Sequence, residues 1–130
     1  MSVRRKLIVL KRIYRFPDGQ ICIVICDIFM RRIHQNLPQS GDICLVDATA
    51  NLDRNDSKLF HLIVPSPIGG LPLGNLITTR EDQKTITFGL NLLKSVLPDY
   101  AFYGRGRNIG PSLFITDDSA PERQSLHTAW

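Results

Sequence analysis

Two short apolar runs, Ile43-Cys-Leu-Val-Asp47-Ala-Thr49 and Ser112-Leu-Phe-Ile-Thr-Asp117-Asp118, each close on an aspartate. Each has about four apolar residues with β-branched members; Ser40-Gly41 opens one and Gly110-Pro111 the other. This is the pattern of central strands rather than of helices. Each carboxylate is therefore expected where a buried strand leaves its sheet. Two carboxylates at one sheet edge repel each other unless a cation such as Mg²⁺ neutralises them. Asp also ends strands for the plainer reason that it bonds turn backbone. The choice between these readings turns on topology, on whether the two strands are neighbours.

The remaining pattern supplies a topology. Leu7 to Phe16 and Gln20 to Ile25 flank Pro17-Asp18-Gly19, where Pro presets a turn dihedral and Gly accepts positive φ, so a β-hairpin is expected. Asp27 is placed to cap a short helix with Ile28, Phe29, Ile33 and Leu37 on one face and Arg31, Arg32 and Gln35 turned outward, ending at Pro38. After the first aspartate strand, a polar turn (Asn51 to Ser57) leads to Leu59–Val64 and then Leu71–Thr78, an antiparallel meander. Ile86, Leu90, Leu93 and Val96 or Leu97 form a helical stripe within Thr85 to Leu97, with Asp82 placed to cap it and Pro98 the stop. A glycine- and arginine-containing loop (Tyr100 to Gly110) precedes the second aspartate strand. The last helix begins at Ser119, with Glu122 at capping-box spacing and Pro121 in the first turn. From residue 41 the order is three strands, a helix, a strand and a helix. A handed crossover through the helix lets the fourth strand lie parallel to the first. If those strands are adjacent, Asp47 and Asp117 end on one edge. The fold class expected is α/β, a mixed sheet with helices, preceded by the N-terminal hairpin and short helix.

Composition narrows the function. A chain of 130 residues is the size of one domain. Its net charge of +4 is unevenly spread: Arg4, Arg5, Lys6, Lys11, Arg12, Arg15, Arg31 and Arg32 make residues 1–40 a basic leader, distinct from 41–130. Arg4, Arg5 and Lys6, with Arg105 and Arg107 of the glycine-containing loop, are the candidate nucleic-acid contacts; a basic cluster is also an ordinary solvated face. The three cysteines, Cys22, Cys26 and Cys44, lie inside apolar runs and form no disulfide framework, which points to a reducing compartment. Cys22 and Cys26 in one strand stand about 13 Å apart, too far to share zinc. No run reaches the ~20 apolar residues of a membrane span, and Leu7 to Leu10 is too short for a secretory signal. His34, His61 and His127 stand singly, so no zinc site or Ser-His-Asp arrangement assembles from them. Gly104-Arg-Gly106-Arg-Asn-Ile-Gly110 lacks the spacing and the following helix of a phosphate-binding loop.

Leu45-Val-Asp47-Ala-Thr49, Leu52-Asp-Arg-Asn55, Leu59-Phe60, Gly70-Leu-Pro-Leu-Gly74 and Phe114-Ile-Thr-Asp117-Asp-Ser-Ala120-Pro-Glu-Arg123, closed by Trp130, together resemble the MULE transposase domain of Mutator-like elements. The resemblance runs from about Asp42 to the last residue. It implies an RNase H-like fold and a carboxylate triad that holds two Mg²⁺ or Mn²⁺ ions to cut or join DNA strands. Asp47 matches the first catalytic aspartate and Asp117 the second. Two ions about 3.5–4 Å apart activate the attacking oxygen and stabilise the leaving one. Asp118 is the rival to Asp117 but is better placed to start the last helix. The third acidic residue is expected on a later helix. Glu122 has a capping role instead, and Glu81 with Asp82 reads as a solvated helix start. The resemblance therefore implies an incomplete, truncated domain, inactive alone, with a missing C-terminal segment or a homo-oligomer to complete it, in the nucleus or another reducing intracellular compartment. The alternative is a non-catalytic nucleic-acid-binding or protein-interaction module derived from a transposase.

Overall fold

The computed structural model describes residues 9–49, 57–117 and 119–130, and side chains from Lys11 onward. Six strands, β1 (Val9–Arg15), β2 (Ile21–Asp27), β3 (Ile43–Thr49), β4 (Lys58–Ser66), β5 (Gly69–Thr78) and β6 (Leu113–Thr116), form one mixed sheet in the order β1-β2-β5-β4-β3-β6. Three helices, α1 (Ile28–Asn36), α2 (Gln83–Val96) and α3 (Ala120–Ala129), complete it. The fold is mixed α/β, with every ladder antiparallel except β3 with β6.

Gly19 turns the first hairpin at φ +89°, and the Gly19 N–H donates to Phe16 O at 3.0 Å. The hairpin then joins the meander. β2 pairs with β5, and Val24, Cys26, Met30 and Ile33 enter the same core as Cys44, Phe60, Leu62 and Leu90. Residues on both sides of position 40 thus share one sheet and one core. The cysteines are core residues, and burial pushes the Cys22 thiol up to about 11 and those of Cys26 and Cys44 to about 12. They are protonated at neutral pH and carry no nucleophile.

Strand alternation places all three helices on one face of the sheet. Cys22, Val24 and Cys26 of β2, Cys44 and Val46 of β3, and Phe60, Leu62 and Val64 of β4 are buried there. Ile86, Leu90, Leu93 and Val96 of α2 cover them, in register with the helical stripe of the sequence. The opposite face carries Ile23, Ile25, Ile43, Leu45, Leu59, His61 and Ile63, all half-buried, with Ile13, Leu113 and Ile115 exposed. No described helix packs on it, and none is long and apolar enough to cross a membrane.

Two helix starts form as expected. Asp27 accepts from Met30 N–H at 2.8 Å and Asp82 from Thr85 N–H at 3.0 Å. Two details differ. The buried face of α1 is Met30, Ile33 and His34, whereas Phe29 is 52% exposed. The helix is rotated because His34 finds two buried backbone partners: Phe102 N–H donates to its Nδ1 and its Nε2 meets Leu73 O, both at 2.9 Å. At α3, Ser119 makes no side-chain capping bond and Glu122 turns into the protein instead. The polar turn at 51–56 and Asp118 lie outside the described residues.

Candidate metal centre at the strand ends

The crossover through α2 brings β6 back parallel to β3 and directly beside it. Along β3, Cys44 and Val46 face the helices, so Ile43, Leu45 and Asp47 face the open side. The last rung of the β3–β6 ladder joins Val46 to Thr116. β6 ends at Thr116, so Asp117 follows this rung at the end of the sheet where Asp47 lies, and both residues are exposed. Adjacent strands lie about 4.8 Å apart, a spacing at which carboxylates on neighbouring strand ends can share a cation. Asp47 and Asp117, far apart in sequence, thus lie at the same end of the sheet.

The antiparallel side of β3 supplies a neighbour that the sequence reading did not single out. His61 is the ladder partner of Asp47, and Asn75 is the ladder partner of His61. His61 Nδ1 and Asn75 Oδ1 are 2.7 Å apart. Asp47, His61 and Asn75 therefore form a polar row across three strands on the open face of the sheet. The signal was the alternation in Leu59-Phe-His-Leu-Ile63, which sets His61 on the face away from Phe60 and Leu62.

Glu122 stands on the other side of the sheet. It is only 3% exposed. The Thr116 hydroxyl donates to its Oε2 at 2.8 Å, and Lys58 Nζ lies 3.9 Å from Oε1 and 3.2 Å from Glu81 Oε2. Thr116 shares the helix-facing side with Phe114, which packs on Trp130. Glu122 is thus separated from Asp47 by the sheet itself. The capping-box donor, Ser119 N–H, donates to Asp117 O at 2.7 Å, and Glu122 takes a hydroxyl and an ammonium in a buried setting instead, which corrects the role expected for this residue. Among the described residues, no group of three or more His, Cys, Asp or Glu is placed to hold a metal ion. The donor set available is the Asp47–Asp117 pair. Two hard, solvent-exposed carboxylates fit Mg²⁺ or Mn²⁺, which keep several waters.

The arginines of the loop after α2 have structural work. Arg105 Nε donates to Gly110 O at 2.7 Å; Arg107 donates to Leu97 O at 3.3 Å and lies 3.5 Å from Asp99. Trp130 closes over this loop: its Nε1 donates to Arg107 O at 2.7 Å, and Lys94 lies 5.3 Å from its ring centre. Arg4, Arg5 and Lys6 lie outside the described residues. No family model, curated protein or solved structure matches this chain.

Proposed function

We propose that the chain is a transposase-derived, RNase H-like domain of the MULE type, whose Asp47 and Asp117 bind a divalent cation at the surface that receives DNA. The observation that carries this reading is the parallel β3–β6 pair, which brings the strand ends preceding or bearing the two aspartates to one end of the sheet, with the meander β3-β4-β5 on one side. Meander, crossover helix and a strand returning beside the first is the arrangement that the motif resemblance implies. Mg²⁺ or Mn²⁺ bound there would supply Lewis-acid stabilisation to a phosphodiester displacement. The chain's own contribution is to hold two carboxylates side by side on rigid strand ends, facing solvent and open to a phosphate. With two protein carboxylates the ion is held weakly, and DNA strand chemistry is expected only when a third ligand is supplied.

Thermal unfolding tests the reading. An ion at ten times its Kd stabilises the native state by about 1.4 kcal/mol, on the order of 3–6 °C for a domain of this size. Millimolar Mg²⁺ or Mn²⁺ is expected to raise the midpoint by that amount, and Asp47→Asn to abolish the rise. The exposed Asp42→Asn serves as control and should keep it. Equal shifts in wild type and Asp47→Asn place the ion elsewhere and contradict the assignment.

A further inference from the structure

The C-terminal turn of α2 and the residues after it meet β1, α1 and Arg107 around a groove lined by Lys11, Arg12, Arg31 and Arg107. A second depression shares Arg31 and adds Arg32, Gln35 and Tyr100. Five cations from three separate chain segments therefore line two adjoining hollows, and Asp99 is the one acidic residue among their lining. Asp99 does little to neutralise them: its side chain is 91% exposed and pairs at 3.5 Å with Arg107, a surface pair of small worth. Among the described residues, Lys11, Arg31 and Arg32 have no carboxylate partner. Two of the cations are oriented by the fold: Arg12 donates to Ser95 Oγ at 3.1 Å and Arg107 to Leu97 O. Like charges gathered this way repel unless a polyanion lies along them.

The second depression ends at an aromatic ring. Tyr100 is 38% exposed and belongs to a loop with an unusual backbone. Phe102 and Tyr103 both adopt left-handed φ, +56° and +53°, a conformation that costs free energy in residues other than glycine. His34 fixes it, accepting from Phe102 N–H at Nδ1 and from Tyr103 N–H at its carbonyl, both at 2.9 Å. The turn also leaves the Tyr103 ring 50% exposed. An exposed aromatic beside a cationic groove is the combination that holds unpaired bases. A duplex, with its bases already stacked inside, makes no use of such a ring. An acidic peptide likewise leaves it idle.

We propose that this groove binds a single-stranded polynucleotide, with phosphates along Lys11, Arg12, Arg31, Arg32 and Arg107 and a base stacked on Tyr100. The site uses neither Asp47 nor Asp117, so it stands or falls separately from the metal centre. Fluorescence anisotropy with a labelled twelve-residue oligothymidylate, in EDTA, is the test. Contacts to three phosphates of a single strand give a slope of about −2 for log affinity against log salt. Lys11→Gln combined with Arg32→Gln, both exposed, is expected to weaken binding about tenfold at low salt. Tyr100→Ala should weaken the oligothymidylate at least about fivefold and leave a duplex of the same length unaffected. Lys84→Gln, exposed in the first turn of α2, should change nothing. Loss of affinity in Lys84→Gln equal to that of the groove variants, an inert Tyr100→Ala, or competition by duplex or polyglutamate as strong as by the single strand would each overturn the proposal.

Discussion

Replacing His34 with alanine is expected to destabilise the fold by about 3–5 kcal/mol, because two buried backbone groups lose their partners and a cavity remains. His34 is fully buried. Phe102 N–H and Leu73 O both depend on it, and they lie on different elements, the loop after α2 and β5. The ring accepts at Nδ1 and so carries its proton on Nε2, a neutral tautomer with both nitrogens used. Burial pushes the imidazole down from 6.5 to about 4. The unfolded chain therefore takes up a proton near pH 6.5, whereas the folded chain resists until about pH 4. Stability is full above the first value, falls as pH drops between the two, and levels off below. A shift of this size corresponds to roughly 3 kcal/mol. Urea unfolding of wild type and His34→Ala across this range measures it: the difference between the two proteins should shrink as pH falls. A constant difference would mean that His34 does not stay neutral in the native state.

Lys58→Met should be the second large effect. Glu122 is almost fully buried, and its counter-charge comes from Lys58 alone among the described residues. Among the described residues, removing that ammonium leaves a desolvated carboxylate with the Thr116 hydroxyl as its partner, a loss of about 3–5 kcal/mol. Because Lys58 is shared with the exposed Glu81, the pair is held at 3.9 Å rather than in close contact, which places the cost at the lower end. Glu122→Gln in the Lys58→Met background keeps an oxygen for Thr116 and removes the charge, so most of the stability should return. A Lys58→Met midpoint within a degree of wild type would show that the carboxylate has no need of the ammonium.

The parts of this fold that were legible in the sequence are those set by short-range pattern. Pro17-Asp18-Gly19 marks the first turn, the Ile86-Leu90-Leu93 stripe marks α2, and Asp27 and Asp82 mark helix starts, because each depends only on residues a few positions away. The parallel placing of β6 beside β3 was legible too, since one handed crossover decides it. What escaped depends on contacts between distant segments. The rotation of α1 that buries His34 and exposes Phe29 is dictated by Leu73 and Phe102. Glu122 left its capping position for Thr116 and Lys58, which no local rule anticipates. His61 became Asp47's neighbour only through the β3–β4 register. Arg31 and Arg32, read as a solvated helix face, acquire a groove only once β1 and the loop after α2 are folded around them.

Binding of Mn²⁺ followed by electron paramagnetic resonance tests the central claim most directly, because it counts free ions without requiring any catalysis. Wild-type protein should take up Mn²⁺ at one saturable class of site, in competition with Mg²⁺, and Asp47→Asn and Asp117→Asn should each abolish it while keeping a cooperative unfolding transition. Uptake that survives unchanged in both variants, or no uptake by the wild type, would contradict a divalent-cation site at the ends of β3 and β6.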